Sequence, residues 1–190
     1  MLTSPGGERG FTLRTVSLWL IAVTAALAVG VVVFARGAPA SPQPDASILG
    51  DIHAYRADTW HWQRLMGVSQ TPYYDHPEDD PSLKYAEWVR ALWRGRAVRA
   101  HDHALHPPHQ RQFLCIHRYE GSWSDRGAPY YGGLQMDLAF MRRYGRELLR
   151  RKGTADHWSP LEQMWVAERA YRSGRGFYPW PNTARDCGLI

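Results

Sequence analysis

Apolar residues in this chain fall into patterns that divide it into segments. From Thr15 to Ala35, twenty-one residues pass without a charge before Arg36 closes the run. A helix rising about 1.5 Å per residue crosses the roughly 30 Å hydrocarbon core in about that length, so residues 15–36 predict a transmembrane helix. A secretory signal has a shorter apolar region, about 7–15 residues, which favours an uncleaved anchor. Ala38-Pro39-Ala40 nevertheless offers a small-residue cleavage site, so a form secreted after cleavage behind Ala40 stays open. Arg9 and Arg14 place residues 1–14 in the cytoplasm as a short tail. Either way, the rest of the chain is expected to be extracytoplasmic.

Residues 37–45 form a linker, stiffened by Pro42 and Pro44. Beyond it, Ile48, Ile52, Tyr55, Thr59, Trp62 and Met66 recur at three- and four-residue steps and predict an amphipathic helix of about 20 residues ending at Gly67. No period fits residues 67–80, which read as a loop. Its Glu78-Asp79-Asp80 run lacks the alternating ligands of a calcium loop. Asp80 instead suits a helix N-cap with Pro81 at the first helical position. The next helix has Tyr85, Trp88, Val89, Leu92 and Trp93 on one face and arginines on the other. His101, His103, His106 and His109 follow, interrupted by Pro107 and Pro108. The double proline denies them a common helix face, so a protonatable connector is expected and no metal, with zinc or copper chelation as the alternative. Residues 46–110 are thus a helical region whose role the pattern does not identify, with docking of a cell-wall protein among the possibilities.

From Gln110, the residues Phe113, Leu114, Ile116 and Tyr119 predict a short helix that ends at Glu120, with Gly121 as its stop. Ser122–Tyr131 is polar and glycine-rich and predicts a loop with a brief hairpin. Asp137 caps a predicted helix from Leu138 to Lys152, with Leu138, Met141, Tyr144 and Leu148 as its buried stripe and Gly153 beyond it. Ser159-Pro160-Leu161-Glu162 is a capping box with proline at the first helical position. The helix it starts turns Leu161, Met164, Trp165 and Tyr171 inward, with Gly174 and Gly176 closing it. Phe177–Pro181 predicts an irregular tail. The fold class is mainly α.

A net charge of +5 and a pI near 9.4 favour anionic partners. The cations are almost all arginine, Lys84 and Lys152 being the lysines, and they form no stripe with RNA-motif spacing. Nucleic acid is therefore not expected, whereas an acidic membrane or an anionic cell wall is. Two cysteines, at 115 and 187, do not make a zinc site. In an exported chain they make a disulfide, on the order of 4 kcal/mol for a loop of this length; the alternative is two free buried thiols.

Candidate chemistry centres on Glu120. A carboxyl group beside Trp123, Tyr130 and Tyr131 is expected in a partly desolvated cleft wall, where burial favours the protonated form that a general acid needs. Gly132 and Gly133 permit close approach of a bulky ligand. Cys115-Ile-x-x-x-Glu120-Gly-x-Trp123, then Tyr130-Tyr-Gly-Gly-Leu-Gln135, then Trp180-Pro-Asn-Thr-Ala-Arg-Asp-Cys187-Gly, resembles the transglycosylase-like domain of the resuscitation-promoting-factor type. The resemblance covers residues 111–190. It implies a small lysozyme-like catalytic domain, following the helices and the transmembrane segment, that cleaves the glycan strands of peptidoglycan without a cofactor. It also implies Glu120 as the catalytic residue and Tyr131, Gly133, Gln135, Trp123 and Trp180 as glycan-binding residues. The Cys115–Cys187 bridge would pin the tail to the helix carrying Glu120. Most glycosidases use two carboxylates, and Asp125 and Asp137 are the possible partners, although Asp137 is better explained as a helix cap. In the wider lysozyme-like families a single glutamate suffices when the sugar's own 6-hydroxyl attacks; hydrolysis by water is the other route. The chain departs from the family in two places. Cys115 lies five residues before the glutamate rather than beside it, and Phe140 and Met141 replace a threonine–tryptophan pair. A non-catalytic wall-binding or scaffold module is the alternative function.

Overall fold

The structure, a computed structural model, describes Pro44 and residues 46–80 and 82–190. The cytoplasmic tail, the transmembrane segment and nearly all of the linker expected from the sequence lie outside these residues. Among the described residues no helix is long and apolar enough to cross a membrane. The architecture is mainly α, with seven α-helices and one two-stranded sheet among the described residues.

Helix α1 (Ala46–Met66) buries Ile48, Ile52, Thr59 and Met66 on the stripe that the periodicity predicts. Helix α2 (Leu83–Leu105) lies beside it and runs in the same direction. Ile48 and Ile52 near the start of α1 meet Ala86, Val89 and Trp93 near the start of α2, while Met66 at the far end clusters with Ala104. A parallel pair of consecutive helices requires a long return, and residues 67–82 supply it. The return segment is pinned along α1: the Trp60 indole donates to the Thr71 carbonyl (2.8 Å), and the Gln63 side chain bonds both the Thr71 hydroxyl and its N–H. Farther along, Arg96 pairs with Asp75 at 3.3 Å, and the Tyr73 ring lies under the Arg56 guanidinium. Burial, followed by the hydrogen bond to Glu78, pushes the Tyr73 hydroxyl up to about 12.

The start of α2 differs from expectation. Ser82, not Asp80, is the N-cap, accepting from the Tyr85 N–H, while Asp80 accepts from the Ser82 N–H one step earlier. The buried stripe is displaced by one residue toward Ala86, Val89, Trp93, Ala97, Ala100 and Ala104, which leaves Trp88 about half exposed. Alanine carries too weak a hydrophobic signal to compete with tyrosine and tryptophan in a pattern reading, yet it lets two helices approach closely.

Helix α3 (Gln110–Glu120) ends at Gly121, whose φ of 130° few other residues adopt. The hairpin pairs β1 (Tyr130–Tyr131) with β2 (Met136–Asp137) in antiparallel register, Tyr130 opposite Asp137 and Tyr131 opposite Met136. It therefore closes around Gly132–Gln135, beyond the Ser122–Tyr131 segment where a hairpin was expected. Asp137 caps α4 (Leu138–Tyr144), as predicted, accepting from the Phe140 N–H at 2.6 Å. The single helix expected to Lys152 is two, since α5 (Arg146–Lys152) begins after Gly145. The Trp158 ring presses on that glycine so closely that a Cβ there would stand 2.6 Å from it. Helix α6 (Pro160–Ala170) begins with the expected capping box, Ser159 and Glu162 bonding reciprocally. A π-type turn, Tyr171–Arg175, follows it. The tail is not wholly irregular: Pro181–Asp186 forms a short helix, α7, with proline in its first turn.

Phe113, Ile116, Leu134, Met136, Met141, Val166 and Trp180 are among the residues of one core around α6. The same helix fastens the α1/α2 pair. The Trp165 indole donates to the Ala104 carbonyl at 2.7 Å, and the Arg169 guanidinium donates to the carbonyls of Tyr144 and Leu65 at 2.6 and 2.7 Å. Arg169 thus sits on the carboxyl ends of α4 and α1, where carbonyls lack helical partners and the helix dipole favours a cation. Burial lowers its pKa to about 10, leaving it charged at neutral pH.

Candidate active site

The carboxyl end of α3 presents Glu120 half-buried, with its Oε1 accepting a hydrogen bond from the Thr183 hydroxyl at 2.8 Å. Thr183 stands on α7, and the Cys115–Cys187 disulfide joins α3 to the end of the same short helix. The covalent tie and the hydrogen bond therefore act between the same two elements, fixing where the carboxylate can point. Next to it, Gly121 forms a corner with the hairpin turn. An ideal Cβ at Gly121 would lie 3.6 Å from Asp125 Oδ2 and 4.0 Å from Gln135 Nε2. Gln135 and Asp125 bond each other at 2.8 Å, and the Gln135 amide also donates to the Gly132 carbonyl at 3.0 Å. Gln135 holds a left-handed backbone, φ 45°, unusual for a residue with a Cβ and supported here by these bonds.

Beyond Gln135 opens a cleft of about 270 Å³, lined by Tyr130, Asp137, Phe140, Arg143 and Arg175 among others. Its lining is mixed polar and apolar, and its volume lies just below the roughly 300–1,000 Å³ usual for small-ligand pockets. Gln135 belongs to both the Glu120 corner and the cleft.

Both candidate second carboxylates are occupied structurally. Asp125 Oδ1 accepts the Gly127 N–H at 3.0 Å and Oδ2 accepts from Gln135, so Asp125 braces its own loop. Asp137 caps α4. Trp123 is half-buried, with one ring face stacked on His117 at 3.9 Å between centroids and 21° between planes. Gly133 is buried against that stack; a Cβ there would lie 2.5 Å from His117 Nδ1 and 2.8 Å from Trp123 Cε3. Its smallness serves internal packing, whereas the sequence suggested approach of a ligand. Tyr131 is half-buried against the core, and its neighbour Tyr130 is the tyrosine that lines the cleft. Trp180 is 4% exposed, its indole donating to the Leu134 carbonyl at 2.6 Å and its ring packed edge-on to Phe113 and Phe140. It underlies the cleft as a core residue, and a ring so enclosed offers no face for a sugar to stack on.

Three residues that carry this site were not picked out from the sequence. Thr183 lies inside the Trp180–Gly188 block, and its place four residues before Cys187 on a helix was the available signal. His117, one turn before Glu120, bonds the Gly133 carbonyl at 3.1 Å and supports Trp123. Gln163, fully buried, donates its amide to the carbonyls of Trp123, Ala155 and Trp158, tying the loop to α6. The four histidines do not converge. His109 bonds the buried Glu168 carboxylate at 3.0 Å, and His106 ends α2. Among the described residues no group of three histidine, cysteine or acidic side chains is arranged to hold a metal ion.

Comparison with known proteins finds no matching family model, no matching curated protein and no matching solved structure. The family resemblance of residues 111–190 accordingly rests on its three sequence blocks.

Proposed function

We propose that residues 111–190 are a lysozyme-like, transglycosylase-type domain that cleaves the MurNAc–GlcNAc strand of peptidoglycan, with Glu120 as its acid, and that residues 15–36 hold it outside the cytoplasmic membrane. The observation that carries this reading is the corner at Glu120. A single half-buried carboxylate is aimed by Thr183, and its chain neighbour Gly121 packs within 4.0 Å of Gln135, a residue that lines a cleft. The structural occupation of Asp125 and Asp137 favours a one-acid reaction.

In that reaction Glu120 gives its proton to the bridging oxygen as the bond from the anomeric carbon to that oxygen breaks. The departing sugar leaves with a hydroxyl, and positive charge develops on the remaining ring. The Glu120 carboxylate then takes a proton from the incoming nucleophile, either water or the sugar's own 6-hydroxyl, as the new bond to the anomeric carbon forms. Water gives a reducing end and the 6-hydroxyl a 1,6-anhydro end.

The test is digestion of purified cell walls by the full chain. The parent should release soluble muropeptides, and Glu120→Gln should release none while melting at the same temperature. If the variant digests walls as fast as the parent, the assignment fails. If both pull down on insoluble wall and neither releases fragments, the protein is a binding module. Mass spectrometry of the released ends distinguishes the two nucleophiles.

A further inference from the structure

Several arginines in this protein have an acidic partner: Arg90 with Asp51, Arg96 with Asp75, Arg126 with Asp156, Arg151 with Glu147 and Arg172 with Glu168. Arg143 and Arg175 do not. Among the described residues neither makes an ion pair, and both line the cleft that begins at Gln135. They arrive from different elements, Arg143 from the last turn of α4 and Arg175 from the end of the turn after α6. Both converge on one phenol. The positive Arg175 guanidinium faces the Tyr144 hydroxyl, and the Arg143 guanidinium carbon lies 5.6 Å from the centre of the Tyr144 ring. The Ser173 hydroxyl stands 3.2 Å from the same phenol oxygen. Burial alone would raise the Tyr144 pKa, but the Ser173 hydrogen bond and the nearby Arg175 and Arg143 charges outweigh it and hold it below the ordinary value. The one carboxylate in the cleft lining, Asp137, has Oδ1 engaged by the Phe140 N–H. Two like charges brought together without a counter-ion repel each other, and an anion placed between them relieves that repulsion.

We infer that the cleft between Gln135 and Arg175 is a carboxylate-reading subsite, in which Arg143 and Arg175 grip an acidic group of the bound strand. A planar guanidinium fork matches a carboxylate in two parallel hydrogen bonds, giving orientation as well as affinity. The inference rests on the glycan-cleaving reading. On such a strand the carboxylate comes from one of two sources: the lactyl group of a muramic acid that has lost its stem peptide, or a free acid on an attached stem. Seated beside Gln135, the carboxylate would set which sugar lies over Glu120, so the cut would be placed by charge.

The experiment measures calorimetric binding to the full chain carrying Glu120→Gln, so that no ligand is consumed. Three soluble strands are compared: stem-free with lactyl carboxylates, the same strand with those carboxylates reduced to alcohols, and strands with intact acidic stems. The subsite predicts that at least one acidic strand binds about tenfold more tightly than the reduced strand, a preference that salt weakens. Adding Arg143→Gln and Arg175→Gln together should abolish the preference, weakening the acidic strand by about tenfold more than the reduced one. Tighter binding of the stem-free acid assigns the lactyl group, and tighter binding of the stem-bearing strand assigns the stem. Equal affinity for acidic and reduced strands, or an equal loss for both on arginine substitution, overturns the subsite while leaving the enzyme reading standing if walls are still cut. If no strand binds and no wall is cut, both readings fall together. Circular dichroism melts of each variant establish that folding is intact, and Arg175→Lys, which keeps charge without the fork, should retain only part of the preference.

Discussion

Removing the Cys115–Cys187 bridge by a double substitution to alanine tests how far the candidate site depends on a covalent tie. The two cysteines are separated by 72 positions, and the bridge joins α3 to the end of α7. Closing a loop of that length in the unfolded chain removes entropy worth about 4 kcal/mol at room temperature. The substitution deletes each Sγ and leaves a methyl group; both cysteines are only half-buried, so the packing lost is small beside the entropic effect. A domain of about 150–250 residues loses about 2–4 °C in Tm per kcal/mol, so the double variant should melt roughly 8–16 °C below the parent. The assay is differential scanning calorimetry of both proteins at one pH and salt concentration, with the parent repeated under reductant. The reduced parent should melt with the double variant. If the double variant melts within about 3 °C of the parent, the unfolded chain is already restricted between these elements, and the loop-entropy reasoning is refuted for this protein.

Substituting Gly133→Ala drives a methyl group into the His117–Trp123 stack, where the Cβ would stand 2.5 and 2.8 Å from ring atoms. It should lower the unfolding free energy by about 2–3 kcal/mol in a urea titration. Gly50→Ala in α1 is its control: nothing lies within 4 Å of the added Cβ, and the change should stabilise by about 0.5–1 kcal/mol. At Glu162, burial works to raise the pKa, but the 2.7 Å contact with Lys152 and the Ser159 backbone bond outweigh it and hold the carboxyl below its ordinary 4.5. A depressed folded pKa contributes stability that is present above the unfolded value and lost as pH falls through the folded one. Thermal melts should therefore show Glu162→Gln below the parent at neutral pH and merging with it under acid conditions; a gap that widens with acid would reverse the sign.

The helices of this fold are legible wherever an apolar stripe or a cap is strong. Ile48, Ile52, Thr59 and Met66 are buried as their spacing predicts, and the Ser159–Glu162 box starts α6 where expected. What failed were boundaries set by partners distant in sequence. Gly145 alone does not mark a helix break; the Trp158 ring packs against it, a contact made only when the chain returns after α5. The parallel course of α1 and α2 was hidden for a related reason. Residues 67–82 have no period because they return along the helix pair, bonded to Trp60 and Gln63 of α1 and Arg96 of α2 one residue at a time.

The candidate site divides along the same line. Glu120 and Gln135 could be singled out because their chemistry is distinctive beside glycines and aromatics, and the structure brings them to one corner through Gly121. Trp180 carries the same aromatic signature, yet the direction its ring faces depends on Phe113, Phe140 and the Leu134 carbonyl, three contacts separated from it by dozens of residues. Thr183 is the converse, a residue of no distinctive chemistry that gains its role from meeting Glu120 across 63 positions. That meeting needs α7 to be helical and its end to be tied to α3. Local sequence thus identifies groups able to do chemistry, but long-range contacts decide which of them have an exposed face or a directed lone pair. At this site the selecting contacts are the disulfide and the Thr183 hydroxyl, so a disturbance of α7 should reach Glu120 without touching any residue of α3.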